Sequence, residues 1–466
     1  MIGSLPGALA GLIGYGATPA AIGRMLASRT GPVLVDDRGT VSGTQLWTTA
    51  QHTAAQWFHV CPSGEGGTHR IGLLGQQDRS FVIGLMSASI LGWDVVGISP
   101  RQQDDRIRSI AADLALTAIA GCDDERIQQI AGDRQQLPLS VDPRLGPAGH
   151  RTTRTPRNRR SGQLILLSSG TTGVPTGTAR RRYGPSLARP VRGLWRTIRP
   201  AGGPMMILAP LWHGYGLGMM LLALVGGVPV LLTSRRSSVE RSAIAERHRP
   251  RTMILVPTQL DALTARWPNR PASLHRVVTG SAPLSEQLCR RALDRLGPRL
   301  INLYGSTEAG WATWATPQEL AAVPGTIGRP APGVRVVIID GELHVDSPLG
   351  TSALRPTPTG DRAHRTGGGL LVIDGRRDDL VIIDGNNVAL SAVQRALDDQ
   401  PQIAWSLVRA EPDPVHGHRL VADLRTIPGA ELDDVRTDLA RSLDWFAVPD
   451  LVRVDSTTPE ASDGTG

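Results

Sequence analysis

At 466 residues the chain is too long for one simple core and implies two or more domains. Its apolar share of 40% and charged share of 20% are those of a soluble globular protein. Three scattered cysteines (Cys61, Cys122 and Cys289) without a C-x-x-C spacing argue against a disulfide framework or a zinc site and fit a reducing cytoplasm. The formal charge is +8, and all 50 cationic side chains are arginine, because the sequence contains no lysine. The arginine-rich runs at 151–160 and 180–182 read first as solvated linker and loop faces. The sharper alternative is attraction to a polyanionic ligand, an acidic carrier protein or a membrane surface, while the lack of interleaved aromatics sets nucleic acid aside.

In chain order, the apolar, small-residue start lacks the basic region of a signal peptide and reads as a helix or a loose arm. "IGLLG" (Ile71–Gly75) has strand character and "RSFVIGLMSASILG" (Arg79–Gly92) has helical spacing ending on glycine. "DVVGIS", the polar-led helix "QDDRIRSIAADLAL" and "TAIAG" continue the alternation, which predicts parallel sheet with helices on its faces. An unpatterned Pro- and Arg-rich stretch near 143–162 reads as a connector. A second series follows: "GQLILLSSGTTG", "PMMILAP", a helix over Met219–Val225, "VPVLL", "RTMILVP", "LHRVVTG" and "RLINLYGSTEAG". The apolar run Gly216–Leu232 is split by Gly226-Gly227-Val228-Pro229, so a buried helix, a turn and a strand explain it better than a membrane span. Short β segments begin at Gly325, and a compact α+β pattern follows Asp384, with helices over Ser391–Asp399 and Glu431–Leu443.

Four stretches can carry chemistry. "SSGTTGVPTGT" offers successive backbone N–H groups and hydroxyls to an anion through Ser168, Ser169, Gly170, Thr171, Thr172 and Gly173, but it is not a Walker loop. "YGSTEAG" offers Thr307 and Glu308 as oxygen ligands for a hard cation such as Mg²⁺, and Tyr304 as a platform for a flat ligand. "PTGD" offers the Asp361 carboxylate to a pair of ribose hydroxyls, and "DGRRDDLVIIDGNNV" offers arginine and paired aspartates as a ligand contact and a hinge. Each alone is matched by an ordinary turn or linker.

In this order and spacing the four resemble the adenylate-forming superfamily of acyl-CoA synthetases, nonribosomal-peptide adenylation domains and luciferases, over nearly the full length. "GSAPLSEQL" (Gly280–Leu288) resembles its adenine-side segment and "DGNNV" its G-E-N-V turn. The resemblance implies an α/β fold: a large multi-subdomain N-terminal domain of parallel-type sheets, helices and a β segment (residues 1–375), then a small, mobile α+β C-terminal domain (376–466). It further implies that a carboxylate attacks the α-phosphate of ATP to give acyl-AMP, and that the thiol of CoA or of a carrier-protein phosphopantetheine then displaces AMP. By the same resemblance, Ser168–Gly173 hold the β/γ-phosphates, and Gly280, Ser281, Ala282, Tyr304 and Gly305 frame adenine. Thr307 touches the α-phosphate, Glu308 binds Mg²⁺, Asp361 and Arg376 hold the ribose, and Asp378 is the hinge.

"APLWHGYGLGMM" (Ala209–Met220) resembles the segment of fatty- and aryl-acid activators, with His213 and Gly214 in the acid pocket. It offers no aspartate to pair with an ammonium, and an unpaired buried ammonium is costly, which favours an acid without an α-amino group. The chain departs from the family at two lysines. The phosphate-loop lysine aligns with Thr176, and Thr465 falls where the catalytic lysine belongs. A threonine hydroxyl does not replace a compact cation on a long stem, and a lost contact to developing charge costs on the order of 10²–10³ in rate. Three alternatives stand: an active ligase compensated by an arginine or a second protein, an enzyme confined to the thioester half-reaction, and a non-catalytic nucleotide- or acyl-binding protein. The chain-wide absence of lysine weakens any inference from these two positions alone.

Overall fold

A computed structural model describes residues 18–62, 69–139, 162–168, 176–179, 185–198, 202–234, 237–267, 271–352, 354–377, 379–383, 386–413 and 416–454. The apolar N-terminal stretch to residue 17 and the arginine runs lie outside the described residues.

Helix α1 (Pro19–Leu26) begins on the Thr18 hydroxyl, which accepts from the Ala21 N–H. The hairpin β1 (Pro32–Asp36) and β2 (Gly39–Ser42) leads into α2 (Gly43–Val60), opened by a capping box between Ser42 and Gln45. The strand–helix rhythm then runs β3 (Arg70–Leu74), α3 (Arg79–Leu91), β4 (Asp94–Gly97), α4 (Asp104–Asp113), β5 (Ala118–Gly121), α5 (Asp124–Ala131) and β6 (Gln135–Pro138). Strands β7 (Leu164–Ser168) and β8 (Thr176–Ala179) complete a six-stranded sheet ordered β6-β5-β3-β4-β7-β8, in which only β8 is antiparallel.

The second series builds a larger sheet. It comprises α6 (Ala188–Ile198), β9 (Met205–Ile207), α7 (Gly214–Val225), β10 (Val230–Leu231), α8 (Ser238–His248), β11 (Thr252–Leu255) and α9 (Pro257–Arg266). After these come β12 (Arg276–Gly280), α10 (Glu286–Leu296), β13 (Leu300–Ser306), β14 (Gly310–Ala315), α11 (Pro317–Ala322) and β15 (Arg329–Pro330). With β1 and β2 recruited from the start of the chain, the order is β15-β14-β13-β12-β11-β9-β10-β1-β2. The strands from β13 to β1 in that order are mutually parallel, β14 and β2 run against them, and β15 pairs antiparallel with β14. Helix α7 begins at Gly214, five residues before the helix read from the sequence. Its glycines are poor helix formers, but tertiary packing decides here: a Cβ on Gly216 would lie 2.3 Å from the Pro210 carbonyl oxygen.

An antiparallel sheet follows, of β16 (Arg335–Ile339), β17 (Glu342–Asp346), β18 (Thr357–Arg365) and β19 (Leu371–Arg376). "PTGD" reads as a turn in sequence yet lies within β18; Gly360, at φ 76°, and a shifted register absorb the turn-like residues as a bulge. Beyond it lie the hairpin β20 (Leu380–Ile383)/β21 (Asn386–Ala389), α12 (Leu390–Asp398), β22 (Ile403–Asp413), β23 (Gly417–Thr426), α13 (Leu432–Ser442) and β24 (Asp450–Arg453). "DGNNV" therefore runs into a strand. This last portion has its own core, including Val393, Leu397, Leu420, Leu424, Val435 and Leu439. It is tied to the large sheet's helices through the buried Asp261 of α9, which takes Arg291 of α10 at 2.8 Å and Arg425 of β23 at 2.5 Å. Arg291 also reaches the Ala404 carbonyl at 2.6 Å, and Arg425 lies over the Trp405 ring at 5.2 Å.

One apolar cluster joins α1, α2, α3 and α7 to both large sheets, through Leu46, Trp57, Phe81, Leu85, Met220, Leu73 and Ile254 among others. Helix α3 is buried almost all round, which is why its sequence is apolar on every face. At its first turn Arg79 makes a fork with Asp36 at the end of β1: Nε to Oδ2 at 2.8 Å and Nη2 to Oδ1 at 2.5 Å. The two side chains are 4% and 0% exposed. Removing one partner strands the other charge in the core, so Asp36→Ala or Arg79→Ala alone should lower stability by about 3–5 kcal/mol in urea unfolding. The apolar double variant Asp36→Leu/Arg79→Met should lose less than either single; equal or greater loss would show that the pair does not act as a unit.

Candidate active site

The parallel strands β9, β11, β12 and β13 end on the same edge of the large sheet, the edge at which open α/β sheets receive ligands. Gly280 closes β12 opposite Leu303 of β13, and a Cβ there would sit 2.4 Å from the Leu303 carbonyl oxygen, so no larger residue fits without shifting the ladder. Ser281 follows at φ 69°, a left-handed conformation that costs a non-glycine residue about 1 kcal/mol and turns the chain sharply off the strand. Ala282 follows it on the same turn.

Strand β13 carries Tyr304 and Gly305 to this edge, with a register shift between them. Gly305 faces Trp311 on β14, and a side chain at Gly305 would meet the Gly310 carbonyl oxygen at 2.3 Å. The hairpin turn holds Thr307 and Glu308, both half-buried. The Ser306 hydroxyl accepts from the Ala309 N–H at 3.0 Å, and the Glu308 carbonyl accepts from the Thr351 N–H at 2.7 Å, so the turn is fixed on both sides.

The Tyr304 hydroxyl donates to Asp361 Oδ2 at 2.5 Å. Asp361 lies opposite Arg376 in the β18–β19 ladder, and Arg376 Nη1 approaches its other oxygen at 3.5 Å. The Asp361 side chain is 14% exposed, whereas that of Arg376 is 45% exposed. Burial, then the neighbouring Asp361 charge, push the Tyr304 phenol well above its ordinary pKa, so it remains a donor. The Arg376 N–H donates to Asp379 at 3.0 Å. Arg377 pairs with the buried Glu342 at 3.0 Å, and Glu342 also accepts from the Gly360 N–H at 2.9 Å beside Asp361. Burial opposes ionisation of Glu342, but the Gly360 N–H and Arg377 outweigh it and hold its carboxyl below the ordinary value.

His213 precedes α7 and is half-buried, with Gly214 as the first helical residue. The segment Ala209–His213 is held by Gln77, whose amide donates to the Ile207 and Ala209 carbonyls at 3.1 and 2.9 Å and accepts from the Leu211 N–H at 3.0 Å. Tyr215 donates to the Val278 carbonyl at 2.8 Å, fixing the start of α7 over β12.

The structure thus gathers Gly280, Ser281, Ala282, Tyr304, Gly305, Thr307, Glu308, Asp361 and Arg376 around the ends of β12 and β13, the bulge in β18 and the end of β19. Ser168 and Thr176 face each other as the last and first residues of β7 and β8, flanking the loop. Ser169, Gly170, Thr171, Thr172, Gly173, Asp378 and Thr465 lie outside the described residues. Sequence reasoning missed Gln77, Glu342 and Thr351, which brace the site through contacts distant in sequence. The polar triplet "QQD" between a buried strand and an apolar helix was the available signal for Gln77.

Among the described residues no group of three or more His, Cys, Asp or Glu side chains is arranged to hold a metal. A single half-buried carboxylate at Glu308, without a cationic partner among those residues, suits a hard cation that takes its remaining oxygens from phosphates and water. No helix among the described residues is long and apolar enough to cross a membrane.

The high phenol pKa values have a measurable consequence. Burial also raises Tyr215 well above 10. A raised folded-state pKa gives stability that is complete below the unfolded value near 10 and is lost as pH rises through the folded value. In an alkaline titration followed by phenolate absorbance, the signal missing from Tyr304→Phe relative to wild type should therefore appear only above pH 10 and together with unfolding. Its appearance as an independent step near 10 would contradict the burial of this group.

The chain matches the AMP-binding enzyme family over residues 27–351. It is 28% identical over 375 residues to the indoleacetate–CoA ligase of Aromatoleum aromaticum, covering 73% of this chain and 70% of that protein. It is 26% identical over 326 residues to the 2-succinylbenzoate–CoA ligase of Staphylococcus aureus, covering 64% of each. The chain thus spans roughly two thirds of the curated relatives it matches. Among solved structures, the amide bond synthetase McbA of Marinactinospora thermotolerans superposes with a TM-score of 0.75 at 22% identity, over 94% of this chain and 95% of that one. The o-succinylbenzoate CoA synthetase of Bacillus subtilis superposes with a TM-score of 0.73 at 18% identity, over 93% and 94%. The fold is that of these enzymes, and the chain belongs to the AMP-binding enzyme family.

Proposed function

We propose that this protein activates a carboxylic acid with ATP and passes the acyl group to a thiol. The carboxylate oxygen bonds to the α-phosphorus while pyrophosphate leaves. A thiol sulfur, from CoA or a carrier-bound phosphopantetheine, then bonds to the acyl carbon while AMP leaves and the thiol proton passes to solvent. The observation that carries this reading is the Tyr304–Asp361–Arg376 group set beside the Thr307–Glu308 turn.

In this reading Asp361 accepts the ribose hydroxyls, Tyr304 holds its carboxylate in place, and Arg376 screens it. The turn at Gly280–Ala282 and the end of β13 at Tyr304–Gly305 frame the adenine. Thr307 donates to the α-phosphate. Glu308 holds Mg²⁺, which neutralises phosphate charge when bound. The remaining work of these residues is orientation and exclusion of water, which lower the barrier without proton transfer from a protein group. Residues 1–375 form the nucleotide-binding portion and 376–466 the second domain, with Asp378 as the hinge and Ser168–Gly173 as the phosphate loop. The three cysteines, none of them in a disulfide, suit a reducing cytoplasm. The absence of any charged side chain between His213 and Val225 supports a fatty or aryl acid over an amino acid.

A second reading is favoured by Thr176 and Thr465 at the positions where lysines are expected: a protein that binds nucleotide but adenylates poorly or not at all. Pyrophosphate exchange with fatty and aryl acids, on wild type and on Thr465→Lys, separates the two. Exchange in wild type supports the ligase. Exchange only in the lysine variant supports the impaired form, for which thioester formation from synthetic acyl-AMP is the next measurement. Neither exchange nor ATP binding in calorimetry would remove both readings. In the same binding assay Asp361→Ala should weaken AMP by roughly 10- to 150-fold, the worth of a hydrogen bond to a charged group at about 1.5–3 kcal/mol.

A further inference from the structure

We infer that Glu342 is a positioning residue for Asp361: together with Arg377 it closes a hydrogen-bonded ring around Gly360 that holds the Asp361 carboxylate on the ribose hydroxyls. The inference rests on the reading above in which Asp361 accepts those hydroxyls, and it adds the residues that decide how well it does so.

Asp361 sits in an irregular part of β18. Glu342 of β17 lies opposite Arg362, but His344 lies opposite Pro358, so Thr359, Gly360 and Asp361 together face Leu343 alone. A bulge of this kind interrupts the ladder, and its backbone groups must find other partners. Thr359 supplies one set: its hydroxyl donates to the Leu343 carbonyl at 2.8 Å and accepts from the Asp361 N–H at 3.2 Å. Gly360, at φ 76°, makes the sharp change of direction that brings the chain to Asp361.

Both backbone polar groups of Gly360 are taken by one pair of residues. Its N–H donates to Glu342 Oε1 at 2.9 Å, and its carbonyl accepts from the Arg377 N–H at 2.7 Å. Arg377 Nη1 then donates to Glu342 Oε2 at 3.0 Å, which closes the ring. The Glu342 side chain is 9% exposed and that of Arg377 is 76% exposed. A carboxylate so far from water is costly unless it is paired, and here each oxygen has its own donor. The peptide unit entering Asp361 is therefore held at its carbonyl by Arg377 and at its N–H by Thr359. Tyr304 and Arg376 approach the far end of the Asp361 side chain, one oxygen each, whereas the ring determines where that side chain starts. A turn of the Gly360 backbone that would carry Asp361 away from Tyr304 must break the ring. Its third member also precedes Asp378, so the ring joins the setting of Asp361 to the segment that leads into the second domain.

The test compares AMP with 2′,3′-dideoxy-AMP, which lacks the ribose hydroxyls, with binding read by calorimetry. Wild type should prefer AMP by about 10- to 150-fold, and Asp361→Ala should abolish that preference. Glu342→Gln keeps the shape of the side chain but can accept only one of the two bonds, because its amide nitrogen is a donor. Arg377→Gln leaves Glu342 in place and removes the guanidinium from an exposed position, where folding is not at stake. Each should cut the preference for AMP by about 3- to 10-fold. Affinity for the dideoxy compound should stay within about twofold of wild type. A merely structural part for Glu342 would lower the midpoint of thermal unfolding and leave the preference intact. An unmoved preference in either folded variant, with wild type discriminating, overturns the role of the ring and leaves the proposed function standing. Equal binding of the two nucleotides by wild type, or binding of neither, would instead overturn the ribose assignment, and this inference with it.

Discussion

Two sheets and the helices between them are held in register by a buried polar seam, and the site depends on it. Asp36 ends a strand of the nine-stranded sheet, and Arg79 starts a helix that leaves the six-stranded sheet. Their fork is supplemented by the Arg79 N–H on Asp36 at 3.0 Å and by its guanidinium on the Gly39 carbonyl. Apolar contact alone is non-directional and leaves two sheets free to slide, whereas a bidentate pair accepts one geometry. Two residues away, Gln77 uses donor and acceptor together to fix the segment that leads to His213. The same short loop therefore orients the sheets and positions the head of α7.

The site is assembled from groups that each lack an independent reason to be there. Tyr304, Asp361 and Arg376 come from two different sheets, and Asp361 joins them by accepting from both sides. A carboxylate that is largely removed from water requires such donors. The arrangement orients it between the Tyr304 hydroxyl and an arginine at 3.5 Å that stays in contact with solvent. Behind it, Glu342 and Arg377 fix the backbone at Gly360, so the bulge that aims Asp361 is itself anchored. The interface at Asp261 follows the same logic at larger scale: one buried carboxylate takes guanidinium groups from two portions of the chain.

Much of this was legible in the sequence, and the misreadings have physical causes. The parallel strands announced themselves as short apolar runs between helical patterns, and the order of the four motifs specified the family resemblance. Helix α7 was read as starting too late because propensity counts its glycines as breakers, while the fold uses Gly216 and Gly218 for close approach to Pro210 and Trp311. "PTGD" was read as a turn because its residues are turn formers; in β18 the same chemistry produces a bulge. Gln77, Glu342 and Thr351 were not readable as site residues, since their importance lies in partners far along the chain, and one sequence carries no direct record of such pairs.

The pairing of Ser168 with Thr176 bears on the threonine at 176. Both residues belong to an antiparallel ladder, and a β-branched residue suits the first position of a strand at least as well as a long cation does. The backbone ladder itself therefore gives no preference for a lysine at 176.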